Sequence, residues 1–394
     1  MGPSDVFDVV VVGGGPAGAT AARDLAQAGR RVALLERGDR IKPCGGAVPP
    51  LLMQEFEIPA GLLVARAAGA RIFAPSGRTA SMPIEGGGYV GMVDRAQFDT
   101  WLRERAVQAG AVLIRGLFDS LRRDESGTAV VAYRTAAQQP PLQLRTRLII
   151  GADGANSAVA RDAMPAAPMR HVFAYHEIVR APAGGDYDPA CCDIHYRGGL
   201  SPDFYAWVFP HGETMSIGTG SARKGFALRA AVAQLRQDAG FAGLETIRCE
   251  GAPIPLRPRR RWDNGRDVVL AGDAAGVVAP ASGEGIYYAM LGGRLAAQAT
   301  DACLASGDAR ALRTARARFM RQHGRVFTVL GFMQWFWYAN DKRRETFVKL
   351  CGDPDIQRLT WESYMHKALR QRRPMAHVRV FFKDLAHLVG MARA

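Results

Sequence analysis

The 394-residue chain contains only six cysteines, at positions 44, 191, 192, 249, 303 and 351, and no pair has C-x-x-C spacing. That absence speaks against a zinc ribbon, a thioredoxin-type redox pair and a disulfide framework, so a metal-free protein with reduced cytosolic thiols is expected. Nowhere does an uninterrupted apolar run approach the roughly 20 residues needed to span a bilayer. The opening MGPSDVFDVVVVGGG has acids where a signal peptide needs bases, and it enters a strand at once. The chain is therefore expected to be made, and to stay, on the cytoplasmic side. Acidic residues are scarce as well: 37 Asp and Glu stand against 51 Lys and Arg, a formal charge of +14. Such an excess suits an anionic partner, whether nucleic acid, anionic lipid or a phosphorylated cofactor, although solubility alone would account for it. No zinc finger, RNA-recognition motif or basic helix is present, which argues against nucleic acid. Internal repeats and low-complexity linkers are missing too. What remains, 48% hydrophobic and 22% charged, is an ordinary globular chain long enough for one large or two to three ordinary domains.

The strongest positive signal is FDVVVVGGGPAGATAARDLAQAGRRVALLER, beginning at Phe7. A β-branched run fit for a buried parallel strand is followed by Gly13, Gly15 and Gly18 at G-x-G-x-x-G spacing and then by an alanine-rich helix. Gly13 permits the tight turn, Gly15 lets the backbone approach a pyrophosphate, and Gly18 lets helix and strand pack closely. The second strand, RVALLE, ends in Glu36, placed to accept hydrogen bonds from a ribose. A lone G-x-G-x-x-G is a weak signal; strand, glycines, helix, strand and terminal acid together are a strong one. A second complete unit is absent, so a nicotinamide cofactor would visit a shared, transient site instead of owning a domain.

Two later stretches, RLIIGADGANSAVAR with Asp153 and Gly154, and GRDVVLAGDAAGVVAPASGEGIYYAM with Asp273, each place an Asp-containing loop after a strand. With the glycine unit they resemble the FAD-binding family of the p-hydroxybenzoate hydroxylase type. The resemblance implies that Asp273 binds the flavin ribityl chain, that Gly283, Gly285 and Ile286 line the flavin ring, and that Asp153 belongs to the cofactor site. Ala17 and Arg37, beside the glycines and Glu36, are assigned to the same site. VDRAQFDTWLRERA is similar to the family's helix whose arginine reaches FAD, here Arg95, which read alone could equally be a surface charge.

The stretch KPCGGAVP resembles the loop of geranylgeranyl reductases in which a cysteine and glycines approach the flavin, implying that role for Cys44, Gly45, Gly46 and Ala47. SPDFYAWVFPHGETMSIG matches the same family's substrate pattern at Pro202, Tyr205, Trp207, Phe209 and Pro210. The chain thus resembles, over essentially its whole length, the geranylgeranyl reductase family of FAD-dependent enzymes, closest to the reductases of chlorophyll and bacteriochlorophyll synthesis. Tyr205, Trp207 and Phe209 alternate, so on a strand they share one face, as plain core or as the wall of a lipid-tail cavity. The activity implied is saturation of prenyl C=C bonds by hydride from reduced flavin and a proton from a site acid, converting a geranylgeranyl tail, on pigment or as diphosphate, to phytyl. Cys44, then Tyr205, then His211 are the candidate acids, each with a packing or turn role as the alternative. NADPH fits as transient electron donor, with reduced ferredoxin the other option. A monooxygenase or halogenase on the same fold, or a non-catalytic prenyl-lipid-binding flavoprotein, are the competing readings.

The expected architecture is mixed α/β: a discontinuous Rossmann-like FAD domain (1–65, 91–165, 260–310), an antiparallel substrate domain (66–90, 166–259) and a helical C-terminal segment (311–394). GRVFTVLGFMQWFWYAN is dense in aromatics and followed by DKRR, and MAHVRVFFKDLAHLVGMARA is amphipathic. Both suit either a cap on the FAD domain or shallow insertion at an anionic membrane surface. A prenylated pigment or prenyl diphosphate, a membrane surface and other pigment-synthesis enzymes are the partners in view.

Overall fold

A computed structural model describes residues 6–38, 41–164 and 169–367. The amphipathic stretch 375–394 therefore lies outside the described residues. Nine helices are described: α1 (Pro16–Gln27), α2 (Pro50–Glu55), α3 (Arg95–Gln108), α4 (Ala158–Ala163), α5 (Leu228–Asp238), α6 (Ile286–Ser306), α7 (Thr314–Trp337), α8 (Asp341–Cys351) and α9 (Pro354–His366).

The first sheet is built on Val6–Val12, whose Val9, Val10 and Val11 are wholly enclosed, as a strand paired on both edges requires. It pairs in parallel with Val32–Glu36 on one side and Leu142–Gly151 on the other, and Val112–Arg115 extends the outer edge. Leu142–Gly151 forks. Its apolar second half pairs in parallel with Val268–Leu270, and its polar first half joins the antiparallel strands Ala129–Arg134 and Leu117–Arg123. Helix α1 starts with Pro16 at its first turn, and α6 ends at Gly307 in the left-handed conformation (φ 71°), the usual start and stop devices. The two helices pack so closely that a Cβ on Gly293 would collide with Ala17 O.

The second sheet runs Thr246–Pro255, His171–Arg180, Thr214–Ser221, Ala206–His211, Cys191–His195, Gly69–Phe73, Thr79–Pro83. All its pairings are antiparallel except Cys191–His195 with Gly69–Phe73. More than a hundred residues, including four strands of the first sheet, separate those two strands, so no hairpin dictates their direction. A three-stranded sheet of Ala47–Val48, Val90–Val93 and Leu63–Ala67 connects the layers. The second core lies between the large antiparallel sheet and the C-terminal helices. Tyr205, Trp207 and Phe209 are buried there with Trp337 and Tyr338 at the end of α7 and Val348 and Leu350 of α8, and Trp361 and Tyr364 of α9 pack against them. The C-terminal segment thus covers the aromatic face of the antiparallel sheet as well as the outer side of α6.

Candidate active site

After the first strand, Gly13 turns with φ 102°, where a Cβ would also strike Ala152. A Cβ on Gly18 would collide with Gly13 O, so helix and turn touch only because both positions lack side chains. Gly15 differs: a Cβ there would meet nothing within 4 Å. The open face of the loop is therefore at Gly15, beside the amide end of α1, which is the cradle a dinucleotide pyrophosphate fits. Glu36 Oε2 accepts from Gly14 N–H at 2.5 Å, which places the acid over the same loop. Arg37 is exposed, and Ala17 packs against α6. Arg103, on α3, was not singled out from sequence, yet its Nη1 reaches Gly14 O at 3.4 Å. It sits two helical turns beyond Arg95, so one face of the helix carries both.

Asp273 is buried in the turn that follows Val268–Leu270, and a Cβ on Gly285 would stand 3.9 Å from its Oδ1. Lys42, also unmarked in the sequence reading, pairs with Asp273 from the Cys44 loop. Gly283, Gly285 and Ile286 follow on the loop that opens α6. Tyr205 Oη donates to Ser282 O at 2.6 Å, and Tyr338 Oη to Ala281 O at 3.1 Å. Ala281 holds φ 62°, an unfavourable state for a residue with a Cβ, and the two tyrosines fix it. Asp153 stands against the Gly13 turn, where a Cβ would come within 3.0 Å of its Cα. Its carboxylate accepts from Ser157 Oγ (2.5 Å), Ala158 N (2.6 Å) and Val159 N (3.1 Å), capping α4.

The KPCGG loop lies on the aromatic face. A Cβ on Gly45 would come within 2.9 Å of the Phe209 ring, and one on Gly46 (φ 73°) within 2.7 Å of His211 Nε2. Only glycines allow this approach, and Ala47 then pairs with Met92. Gly46 N–H points at Cys44 Sγ, 3.4 Å away. Arg95 is no surface charge: it is buried, forks onto Asp99 at 2.8 and 2.7 Å, and stands beside the Cys44 sulfur. Cys44, Lys42, Arg95, His211 and Arg248 border one small pocket.

Burial pushes the Tyr205 hydroxyl well above its ordinary range, with neighbouring Tyr338 and Cys44 adding to the effect. The same cause pushes His211 down to about 4, against a smaller opposing pull from Phe209 O, so its imidazole is neutral at pH 7. Neither side chain is poised to lose a proton at neutral pH. Trp207 is held from behind. Its Nε1–H donates to Ser216 Oγ (3.1 Å), Ser216 Oγ lies 2.9 Å from His176 Nδ1, and His176 Nε2 lies 3.1 Å from Glu250. An indole N–H can only donate, so the Ser216 proton is free for Nδ1 and the Nε2–H tautomer meets the carboxylate. Arg248 closes the chain on Glu250 at 2.9 Å. Nothing in the local sequence marks Ser216, His176 and Glu250, which come from three different strands.

Comparison with known proteins agrees with this geometry. A family model described as FAD dependent oxidoreductase matches residues 8–48, the glycine unit and its second strand. The geranylgeranyl diphosphate reductase of Rhodobacter capsulatus is 55% identical over 386 residues, 98% of this chain and 98% of that protein. The chloroplastic geranylgeranyl diphosphate reductase of Oryza sativa subsp. japonica is 36% identical over 97% of this chain and 86% of its own length. Among solved structures, a geranylgeranyl bacteriochlorophyll reductase-like protein from Thermoplasma acidophilum superposes with a TM-score of 0.80 over 94% of this chain and 99% of that one, at 22% identity, which speaks for the fold alone. Whole-length identity of this order, on a fold that carries an FAD cradle, makes the chain a member of the geranylgeranyl diphosphate reductase family of FAD-dependent oxidoreductases.

Proposed function

We propose that the protein reduces the isolated double bonds of a geranylgeranyl chain, carried as a diphosphate or on a pigment, to give a phytyl chain. The observation that carries this reading is the 55% identity over the whole chain to a geranylgeranyl diphosphate reductase. An electron-rich alkene does not accept hydride unless a proton arrives with it, so the site has to deliver both while excluding water. FAD, when bound, supplies the hydride. The residues that would hold it are the Gly13–Gly18 loop, Glu36, Arg103 and the Asp273–Ile286 segment. Facing that segment, Phe204, Tyr205, Trp207 and Phe209 form an apolar wall on which a prenyl tail gains about 0.8 kcal/mol per buried CH2. Tyr205 holds the Ser282 carbonyl and so sets the wall against the loop. Cys44, between the wall and Arg95, is the proton donor in this reading. NADPH is the electron donor, visiting a transient site.

We further propose peripheral membrane association, at the cytoplasmic face, through α7. Val329, Phe332 and Trp335 share one side of that helix and are 43, 59 and 70% exposed, Trp335 being more open than any other large apolar side chain described. Arg321 and Arg325 upstream and Lys342 just beyond are exposed, the arrangement that suits anionic headgroups around an inserted aromatic edge. No helix among the described residues is long and apolar enough to cross a membrane.

The activity is tested by supplying the flavin-loaded protein with NADPH and either geranylgeranyl diphosphate or a geranylgeranyl-esterified pigment, then weighing the tail by mass spectrometry. Stepwise gain of hydrogen supports the reading. NADPH consumption matched by oxygen consumption, with the tail unchanged, would point to monooxygenase or halogenase chemistry instead.

A further inference from the structure

Glu284 stands between Gly283 and Gly285 on the loop that opens α6, and its side chain is closed from solvent. Its partner is the ammonium of Lys367, just past the end of α9 and equally buried. Lys367 ends α9 in the left-handed conformation (φ 52°), a common helix terminus that more often falls to glycine. Its Nζ also lies 3.8 Å from the centre of the Tyr364 ring. The second carboxylate oxygen of Glu284, Oε1, is buried without a hydrogen-bond partner.

The groups facing this pair are Tyr205 of the aromatic strand, Tyr287 and Tyr288 of α6, Tyr364 of α9 and His323 of α7. None of them offers a second charge. Burial, with the Lys367 charge adding to it, pushes His323 down to about 4, and burial raises the tyrosines. A hydrophobic pair of similar volume is often at least as stable as a buried ion pair, so stability does not account for a lone pair on the loop that opens α6. Burial pushes the Glu284 carboxyl up and Lys367 down, and each partner opposes the shift of the other.

We propose that Glu284 and Lys367 are the proton store of the site, supplying through the Cys44 thiol the proton that each saturated double bond consumes. The proposal rests on the reductase reading above. Each reduction forms two C–H bonds: hydride from the reduced cofactor goes to one alkene carbon, and the proton goes to the other. The pair begins with no net charge and is left with one negative charge when its proton leaves. Hydride carries one negative charge out of the cofactor site, so the total charge in the low-dielectric interior is unchanged. Water restores the proton between turnovers, and no further reductant or oxidant is required. Lys367 holds that proton as its ammonium, and Glu284 is the positioning partner whose carboxylate keeps the ammonium in place.

The test uses the full chain with Glu284→Gln, Lys367→Met, the double variant, and Lys367→Arg. In the flavin-free protein, Glu284→Gln alone strands a buried ammonium and lowers Tm, whereas the double variant recovers it; additive effects would show that the pair is not coupled and would overturn the proposal. The double variant, once loaded with FAD, should reduce alkene about 10²-fold more slowly from pre-reduced flavin. Lys367→Arg keeps the charge on a group that does not give up its proton, so the same loss is expected with folding intact. Alkene reduction at the wild-type rate in either variant sinks the store. If wild type itself saturates no prenyl chain, the reductase reading has failed instead.

Discussion

At the scale of single residues, the hydroxyl of Tyr205 and the thiol of Cys44 lie in the same site but do different work. Tyr205 spends its only proton on Ser282 O and secures the strained Ala281–Gly283 turn. Tyr205→Phe should therefore keep bound FAD and slow alkene reduction no more than about tenfold, the scale of one lost hydrogen bond. Cys44→Ala and Cys44→Ser, by contrast, should leave the reduction of flavin by NADPH near normal while alkene reduction collapses. Stopped-flow measurement of the two half-reactions separates these outcomes, and full alkene reduction in both Cys44 variants removes the thiol from the chemistry. His211 gives a pH signature. Its native pKa of about 4 is below the ordinary 6.5, so the unfolded chain binds the extra proton and stability falls as pH drops through that window. His211→Asn should flatten the dependence of unfolding free energy on pH by about 1.4 kcal/mol per pH unit between those limits, as read from urea titrations. An unchanged slope contradicts the assignment.

Among the elements, α8 carries the heaviest structural duty through one side chain. Arg344 is buried, and its guanidinium donates to Pro202 O and Tyr338 O at 2.5 Å and to Asp341 at 2.6 Å. It ties the C-terminal helices to the turn that precedes the aromatic strand. Arg344→Ala should cost about 3 kcal/mol by leaving buried carbonyls unpaired. It should also loosen Tyr338, and with it the flavin-loop carbonyl of Ala281. A denaturation midpoint within error of wild type would show that the tie is idle. The same elements show what a sequence can and cannot disclose. The glycine cradle was legible because strand, turn, helix and acid fall within some thirty consecutive residues, each with a local reason for its type. The alternation in YAWVFP likewise exposed a shared face, and Gly45 and Gly46 proved to stand against Phe209 and His211. Lys42 on Asp273, Arg103 on Gly14 and the Ser216–His176–Glu250 chain behind Trp207 were not legible. Each joins residues remote in sequence, brought together only by the tertiary fold, and none belongs to a residue pattern of its own. Arg95 shows the intermediate case: its helix was recognisable, but its burial against Asp99 and Cys44 was not.

For the whole molecule, the parallel sheet and its helices build the cofactor cradle, the antiparallel sheet presents an aromatic face toward it, and α7 to α9 cover that face. The covering helices also carry the exposed Phe332 and Trp335, so the proposed membrane contact and the proposed prenyl wall fall on one part of the chain. Phe332→Glu with Trp335→Glu should reduce binding to phosphatidylglycerol-rich vesicles at least tenfold in flotation and leave reduction of detergent-dispersed substrate intact. Equal flotation of wild type and variant would dismiss the α7 surface. The central claim, that this architecture passes hydride from flavin to an isolated alkene, is tested most directly by one anaerobic single-turnover experiment. Protein loaded with FAD and reduced by dithionite, freed of excess reductant, is mixed with geranylgeranyl diphosphate. The account predicts flavin reoxidation without oxygen and two hydrogens gained by the prenyl chain for each flavin reoxidised. Flavin that stays reduced until air is admitted, with the chain unaltered, would contradict it.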